Sequence, residues 1–341
     1  MASKARELGL RLRPHFKTHQ SLAVGGWFGR EGTEAIAVSS LAMAEYFAAG
    51  GWSDITLATP LNPRELDGIR SLAGRIRLGV TVDSVESLRA AGSLRPSPDL
   101  WLELDCGYGR SGVRWSDAGR LSRIATEAAE HPLRGVLVHA GDTYAARGEE
   151  QVRAVHRRAI GRLEESLSAL GAARRDLEVS WGDTPSCRLA DDFGAATELR
   201  PGNYVFFDMM QLQVGSCGPE DIAVSVVCPV ISVPAADRAV LHCGAVHLSK
   251  EYLTLNGRRV YGALARLNGG PPFEPDLSLP LVGLSQEHGV VRGEGAGSLR
   301  PGDLVSVVPV HSCLACDLYG GYLLEGGGVV SRRPSCAEAP G

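Results

Sequence analysis

The feature that most limits the fold of this chain is an alternation of short apolar runs with helix-like segments over roughly its first 200 residues. Eight runs are rich in β-branched or other apolar residues, and they span residues 10–17, 35–39, 55–58, 76–81, 100–105, 135–139, 177–181 and 198–200. Between them lie segments such as 116–130 and 149–170, whose apolar spacing is that of amphipathic helices. Repeated βα units of this kind predict an α/β protein with a (β/α)8 barrel of the TIM type.

The sequence pattern changes after about residue 215. Residues 222–233, 239–243, 289–291 and 304–310 form β-rich runs separated by glycine and proline turns, and residues 268–275 are predicted to be a loop. We therefore expect a barrel domain over residues 1–215 and a second, all-β domain over residues 216–341. A loose tail is expected from residue 332 onward.

Composition limits the classes of function. A chain of 341 residues with 44% hydrophobic content can bury more than one core, and a formal net charge of -4 leaves no basic field for nucleic acid. No apolar run approaches the roughly 20 residues of a membrane span, and the N-terminus lacks an apolar signal core, so we expect a cytoplasmic protein. The 8 cysteines show no framework spacing, which indicates reduced thiols and allows a metal ligand among them.

Polar residues stand at or just past the ends of the predicted strands, where barrel enzymes build their active sites. They are Lys17, Thr59, Asp83, Asp105, His139 and Gly182. Lys17 is the most informative of them, because it lies between two histidines in residues 13–19 (RPHFKTH). A free lysine with a pKa of roughly 10.4 is protonated at neutral pH, so a catalytic lysine needs burial or a carbonyl partner. A surface lysine is the simple alternative.

Residues 13–19 resemble the lysine segment of the zinc- and pyridoxal-phosphate-dependent D-serine dehydratase and D-threonine aldolase family, whose barrel is of the alanine racemase type (fold type III). The resemblance extends over nearly the whole chain through residues 104–113 (LDCGYGRSGV), 139–144 (HAGDTY), 180–185 (SWGDTP) and 200–204 (RPGNY). It implies that Lys17 holds pyridoxal 5'-phosphate (PLP) covalently and removes the α-proton of the substrate.

The same resemblance implies roles for residues around the cofactor ring. Arg110 would face the pyridine nitrogen, and Tyr144 would touch the ring or the substrate. A structural arginine paired with Asp105 or Glu103 is the alternative for Arg110. For His139, a packed and hydrogen-bonded core histidine is an equally open interpretation.

Two loops resemble the phosphate-binding loops of the family. In the first, Gly182 and Thr184 are the implied ligands, and a helix that begins after Pro185 would add its positive end. In the second, Asn203 and Tyr204 are implied. Asp183 departs from the pattern, since an acid beside a phosphate is repulsive unless it points away.

A candidate metal site comes late in the chain. His311 and Cys313 close a β run, and strand alternation would place both on one face. Imidazole with thiolate favours zinc, although a buried structural cysteine is the alternative. The dehydratases of the family have this zinc pair, whereas the aldolases have aspartate at the second position, so Cys313 favours elimination. Cys316 is a possible third thiolate, and Glu287 or His288 a second-layer partner.

The resemblance therefore implies a lyase, in which zinc assists the β-elimination of D-serine or a related D-3-hydroxyamino acid to a 2-oxo acid and ammonia. A metal-dependent D-threonine aldolase and a non-enzymatic PLP carrier are the alternatives. Residues 242–251 (HCGAVHLSKE) depart from the usual dehydratase string and leave the particular D-amino acid open. Residues 1–9 resemble the middle of a family helix, so the strand and half-helix that precede it in the family are not expected in this chain. A homodimer is expected.

Overall fold

A computed structural model describes residues 1–265 and 271–333 of the chain. Its contacts divide the chain into two compact units, Met1–Gly202 and Asn203–Gly341, whereas the sequence placed the boundary at residue 215. The first part of the predicted loop over 268–275 and most of the predicted tail from 332, with Cys336, lie outside the described residues. The second half of that predicted loop ends at Pro275, which begins a strand.

The first unit is built on a parallel sheet of nine strands. These are β1 Arg11–Leu12, β2 Ile36–Val38, β3 Asp54–Pro60, β4 Arg77–Val82, β5 Asp99–Asp105, β6 Val113–Arg114, β7 Leu133–His139, β8 Glu178–Gly182 and β9 Glu198–Leu199. All eight predicted runs overlap one of these strands, and β6 is an additional short strand beside β5. The run at residues 10–17 contributes only two strand residues.

The sheet of the first unit curls until its two ends meet. Its strand order is β1-β9-β8-β7-β5-β4-β3-β2. A parallel bridge between His15, just past β1, and Ala37 of β2 joins the ends, and the Phe16 amide donates to the Ala37 carbonyl at 2.8 Å. The predicted (β/α)8 barrel is confirmed.

Eight α-helices accompany these strands among the described residues of the first unit. They are α1 Ala2–Glu7, α2 Leu22–Arg30, α3 Leu41–Ala49, α4 Leu66–Ala73, α5 Val85–Gly92, α6 Ala118–Glu127, α7 Glu149–Ala169 and α8 Thr184–Leu189. Side-chain caps define several starts: Ser21, Ser40, Ser84 and Asp117 each accept a hydrogen bond from a backbone N–H of the first turn. Helix α7 buries Val152, His156, Ala159 and Leu163, a spacing of three to four residues that matches one helix face.

The second unit contains a separate antiparallel barrel. Its strands are β10 Val226–Ala235, β11 Arg238–His242, β14 Gly262–Ala265, β15 Pro275–Leu284, β16 His288–Arg292 and β17 Leu304–Pro309, closed in the order β10-β11-β16-β15-β14-β17. Two small hairpins add β12 Leu253–Leu255 with β13 Arg258–Val260 and β18 Gly321–Leu323 with β19 Val329–Ser331. Short helices α9 Met209–Val214, α10 Ala245–Leu248 and α11 Ser312–Cys316 complete the described α-structure. The all-β character predicted for this domain is confirmed.

Short 3-10 helices occur at Pro63–Glu65, Gly141–Ala145, Gly171–Arg174, Asn203–Val205, Pro219–Asp221 and Ala296–Ser298. Each unit has its own hydrophobic core. The first is centred on strand residues such as Ile55, Leu102 and Trp181, and the second on Val230, Leu241 and Val307. Among the described helices, none combines the length and the apolar character that a membrane crossing requires.

Candidate active site

Lys17 lies at the carboxyl end of the first barrel, in a turn fixed on both sides. Its backbone N–H donates to Nδ1 of His15 at 3.3 Å. The preceding Phe16 is fully buried, with ring centroids 5.2 Å from Phe28 and 5.1 Å from Phe47. The half-buried Lys17 is therefore attached to a rigid segment of backbone.

Several cationic side chains act on the same imidazole near Lys17. Burial is the largest cause that lowers the pKa of His139 to about 3, and the positive charges of Arg110, Lys17 and Arg200 contribute to the same shift, in that order. Burial, followed by the charge of Lys17, also holds the pKa of His15 well below its ordinary value. Three cations from separate parts of the chain thus give this end of the barrel a positive potential that suits an anionic ligand.

His139 is the last residue of β7 and is neutral at physiological pH. Its Nδ1 lies 2.9 Å from the carbonyl oxygen of Gly182, so Nδ1 carries the proton and donates. The ring nitrogen Nε2 is left as an acceptor. Tyr108 packs edge-on at 5.4 Å and Tyr144 lies at 6.3 Å between ring centroids. His139 is accordingly hydrogen-bonded and half-buried at the carboxyl edge of the sheet.

The first predicted phosphate loop follows β8. Helix α8 begins at Thr184, with Pro185 in its first turn, so the prediction that it begins after Pro185 is wrong. The reason is the cap: Asp183 accepts from the Ser186 N–H at 2.6 Å and from Thr143 Oγ1 at 3.0 Å. The Asp183 carboxylate is thus already hydrogen-bonded to other groups of the protein. The Thr184 N–H, in turn, donates to the Tyr144 hydroxyl at 3.3 Å, which brings two predicted site residues together.

Arg200 was not among the predicted site residues. Its guanidinium is buried, donates from Nη2 to the Val138 carbonyl at 2.8 Å and from Nε to Ser180 Oγ at 3.2 Å. A Cβ on Gly182 would lie 2.8 Å from its Cζ, so Arg200 explains why residue 182 is glycine. Its position before a proline-glycine pair, at the end of β9, was the available sequence signal.

Arg110 lies in the loop after β5. Its Nη2 is 4.0 Å from Glu103 Oε1, its side chain is 50% exposed, and its Cζ lies 5.4 Å from the Tyr108 ring centroid. Asp105 instead accepts from the N–H groups of Gly107 and Gly109, at 2.9 and 3.0 Å. Arg110 therefore makes only a loose ion pair with Glu103 and is accessible to a ligand.

The candidate metal ligands lie in the second unit, at a junction between a strand and a helix. Strand β17 ends at Pro309, His311 occupies the N-cap position of α11, and Cys313 is in the first turn of that helix. The expectation that strand alternation puts both on one face is wrong, because the backbone has left the strand before His311. Cys316 ends the same helix, and burial raises the pKa of its thiol to about 12.

A buried carboxylate and an amide join the two candidate ligands. Asp208 Oδ2 lies 3.6 Å from His311 Nδ1 and accepts from Asn203 Nδ2 at 2.6 Å. The same Asn203 amide nitrogen is 3.8 Å from Cys313 Sγ. Asp208 also accepts from the Ser312 N–H at 2.8 Å and caps α9 through Gln211. The sequence analysis missed Asp208, whose only local signal was an acid before a short helix-like run.

The predicted site residues are therefore found in separate groups. The first unit brings together Lys17, Arg110, Tyr144, Gly182 and Thr184. In the second unit, the Asn203 side chain faces Asp208, His311 and Cys313, and Tyr204 follows it in the 3-10 helix Asn203–Val205. The roles of these residues stay predictions.

Comparisons with known proteins match both parts of the chain. The model of the alanine racemase N-terminal domain matches residues 2–209, and that of a putative serine dehydratase domain matches residues 223–324. These matches define an alanine racemase-like barrel protein with a dehydratase-type second domain. More closely, the chain belongs to the D-serine dehydratase and D-threonine aldolase family of such lyases.

Three relatives show the range of this family. A D-threo-3-hydroxyaspartate dehydratase from Delftia sp. (strain HT23) is 33% identical, with 89% of this chain and 84% of that protein covered. A D-serine dehydratase from Dictyostelium discoideum is 26% identical, covering 94% and 88%. A 3-hydroxy-D-aspartate aldolase from Paracoccus denitrificans (strain Pd 1222) is 26% identical, covering 100% and 88%.

The structure of the Delftia enzyme has also been solved. Its structure matches this one with a TM-score of 0.88 and 30% identity, over 98% of this chain and 93% of that chain. A histidine-to-alanine variant and a cysteine-to-alanine variant of it, the latter described as metal-free, match with TM-scores of 0.87 and 0.88.

Proposed function

We propose that this chain is a PLP-dependent, zinc-assisted lyase that converts D-serine or a related D-3-hydroxyamino acid to a 2-oxo acid and ammonia. The observation that carries the proposal is the placement of Lys17, the one amine in the group, beside Arg110 and Arg200 at the carboxyl end of the barrel. The dehydratase relatives, named for D-threo-3-hydroxyaspartate and D-serine, support this substrate class.

The donor set of the first unit fits PLP. Lys17 supplies an amine for the aldehyde, and the surrounding positive charge suits a phosphate dianion. Asp183 is turned inward to its helix cap, which removes the expected repulsion. When bound, the cofactor would stabilise negative charge at the substrate α-carbon.

Each protein residue has a defined task in this proposal. Lys17 Nζ would hold the cofactor, be displaced by the substrate amine, and then take the proton from the α-carbon. Arg110 would face the ring nitrogen. Gly182, Thr184 and Tyr204 would bind the phosphate, with Asn203 contributing through its backbone because its amide group faces Asp208. Tyr144, in contact with the Thr184 N–H, would line the ring.

His311 and Cys313 would hold a zinc ion. Imidazole and thiolate suit zinc, and Asp208 near His311 Nδ1 is the kind of carboxylate that orients a histidine ligand. The altered histidine and cysteine of the Delftia variants are two positions apart, as His311 and Cys313 are here. As a Lewis acid, zinc would assist the departure of the β-hydroxyl. A homodimer in the cytoplasm is part of the same proposal.

A D-3-hydroxyamino-acid aldolase is the second candidate. The Paracoccus relative supports it, because that protein is named a 3-hydroxy-D-aspartate aldolase. The two reactions begin at the same α-carbon and differ in whether the bond to hydroxide or the Cα–Cβ bond is broken.

Product analysis with three substrates tests the proposal. With PLP and zinc present, D-serine and D-threo-3-hydroxyaspartate should release a 2-oxo acid and ammonia in equal amounts. D-threonine should give 2-oxobutanoate rather than glycine and acetaldehyde. Glycine and an aldehyde as main products would replace elimination with the aldolase reaction.

Lys17→Ala tests the assignment of the cofactor lysine, with the exposed Lys250→Ala as the matched control. Borohydride should fix the cofactor on Lys17 in the unaltered chain and in Lys250→Ala, as peptide mass spectrometry would show. Lys17→Ala should lose this label and at least about a thousandfold in kcat, since a general base alone contributes roughly 100- to 10,000-fold. A reducible cofactor retained in Lys17→Ala would refute the assignment.

A further inference from the structure

A group of three potential metal ligands lies in the second unit and shares no residue with the His311 and Cys313 pair. His242, His247 and Glu287 each offer a ligand atom, and these atoms all lie within 4.8 Å of one another. Nε2 of His242 is 3.5 Å from Oε2 of Glu287, and the two histidine rings are 5.4 Å apart with an interplanar angle of 77°. Nitrogen and oxygen atoms therefore converge on one point.

The backbone holds these three residues from three different segments. His242 ends β11 and pairs with His288 of β16, while His247 is in α10 and Glu287 is in the turn between β15 and β16. The Ala245 N–H donates to the Ser285 carbonyl at 2.9 Å, and the Val246 N–H donates to that of Gln286 at 3.3 Å. A Cβ on Gly244 would collide with the Gln286 carbonyl, so glycine permits this close approach. The grouping is thus fixed by strand pairing and backbone hydrogen bonds.

We propose that His242, His247 and Glu287 bind a divalent transition metal, with Zn²⁺ as the best match. Two imidazoles and a carboxylate are a known three-residue ligand set for zinc, and they leave a fourth position for water or a ligand. Gln286 Nε2 donates to Oε1 of Glu287 at 3.2 Å, which leaves Oε2 directed at His242. The side chains of His242 and Glu287 are 51% and 42% exposed, so an ion can enter from solvent.

Binding would change one hydrogen bond. The Gly244 N–H donates to Nδ1 of His247 at 3.1 Å, which places the proton of the neutral ring on Nε2. A metal on Nδ1 displaces this hydrogen bond, and a metal on Nε2 moves the proton to Nδ1, where it faces the Gly244 N–H. Metal binding should therefore release the Gly244 amide, and its hydrogen exchange should become faster.

Cobalt titration of the full chain tests the proposal independently of PLP and of turnover. Helix α10 packs against α11, which carries Cys313. Binding at the two metal sites must therefore be distinguished by the ligand atoms, because only the site at Cys313 has a thiolate. In Cys313→Ser, Co²⁺ should bind at one ion per chain without the thiolate charge-transfer band of a Co–S bond. His247→Gln or Glu287→Gln in that background should weaken Co²⁺ binding by at least about tenfold.

His288→Gln is the matched control, because His288 is an exposed histidine opposite His242 and outside the three-residue group. It should leave Co²⁺ affinity unchanged. If Cys313→Ser does not fold, the zinc content of the unaltered chain and of Glu287→Gln gives the same answer, with one ion fewer expected in the variant. The proposal would be overturned by equal zinc content in the unaltered chain and Glu287→Gln. It would also be overturned by Co²⁺ binding only above about 1 mM, or by unchanged Co²⁺ affinity in both ligand variants. Absence of elimination activity in the unaltered chain, with cobalt binding at the three-residue group intact, would instead count against the proposed function alone.

Discussion

Asp183 is the residue at which the phosphate-loop prediction and local sequence conflict most directly. The structure resolves the conflict by giving the buried carboxylate two tasks inside the protein: it caps α8 and accepts from Thr143 Oγ1. Burial raises its pKa to about 6. An acid can therefore stand beside Thr184 in this loop, because its carboxylate is hydrogen-bonded inside the protein.

Thr184→Val should weaken PLP binding, because it keeps the shape of the side chain and removes its hydroxyl donor. A hydrogen bond to a charged group is worth about 1.5–3 kcal/mol, which corresponds to roughly ten- to a hundredfold in dissociation constant. Tyr204→Phe should have an effect of the same size. Titration of the cofactor-free protein with PLP measures both. Thr126→Val, on the exposed side of α6, is the control. Unchanged affinity in both site variants would put the phosphate elsewhere.

His139 should make the stability of the protein depend on pH. Its folded pKa of about 3 is below the ordinary 6.5, so between these values the unfolded chain binds the extra proton. The stabilisation is present above pH 6.5 and is lost as the pH falls toward 3, at up to about 1.4 kcal/mol per pH unit.

His139→Gln should consequently lose less stability than the unaltered chain when the pH is lowered from 7 to 5. Urea unfolding at each pH, followed by tryptophan fluorescence, gives the comparison. His288→Gln, at an exposed position, should follow the unaltered chain. A pH profile for His139→Gln that coincides with that of the unaltered chain would show that the imidazole is not held neutral.

At the scale of elements, the junction of β1 with β9 and β2 is a short one, with two paired residues to β9 and a single bridge to β2. Strand β1 has two residues, yet the segment after it positions Lys17. Arg13 strengthens this junction. Its Nε donates to both carboxylate oxygens of Glu198 in β9, at 3.0 and 3.1 Å, and its Nη1 donates to Asp54 of β3. The Arg13 side chain is only 3% exposed.

Arg13→Met should destabilise the first unit by about 3–5 kcal/mol, because it leaves the buried Glu198 carboxylate without its main partner. Arg77→Met is the control at the opposite extreme. Arg77 pairs with Asp99 at 2.8 Å but is 45% exposed, so its loss should cost less than about 1 kcal/mol. Chemical denaturation of both variants measures the difference. Equal costs would mean that burial of the Arg13 ion pair does not decide its strength.

At the scale of the whole molecule, two units with separate cores should respond separately to their ligands. A ligand that binds only the folded form stabilises it by about 2.7 kcal/mol at 100 times its dissociation constant. PLP should therefore slow hydrogen exchange in barrel strands such as β7 and β8. Zinc should slow it in β17 and α11, near His311.

Removal of each ligand in turn checks this assignment by hydrogen-exchange mass spectrometry. Chelation should speed exchange in peptides of the second unit and leave the exchange of the β7 and β8 peptides unchanged. Removal of PLP should speed exchange in the β7 and β8 peptides and leave the β17 and α11 peptides unchanged. A chelation effect centred on β7 and β8 would contradict a metal site at His311 and Cys313.

The sequence by itself determined the class of both units and the positions of the barrel strands along the chain. Apolar periodicity depends on nearest neighbours along the chain, and it placed all eight barrel strands, from the short run at residue 10 to the one at residue 198. The candidate metal ligands His311 and Cys313 and the candidate cofactor residue Lys17 were also named from local strings. The amine, imidazole and thiolate groups that suit these roles can be read directly from the residue types.

Only the tertiary structure decided how those residues are oriented and supported. Pro309 ends β17 and α11 follows, so the strand geometry assumed for His311 and Cys313 does not exist. Asp208, Arg200 and the grouping of His242 with Glu287 depend on contacts between residues that are distant in sequence. The burial of His139, its hydrogen bond and the electrostatic field at its ring all depend on such contacts. A local sequence pattern cannot predict them.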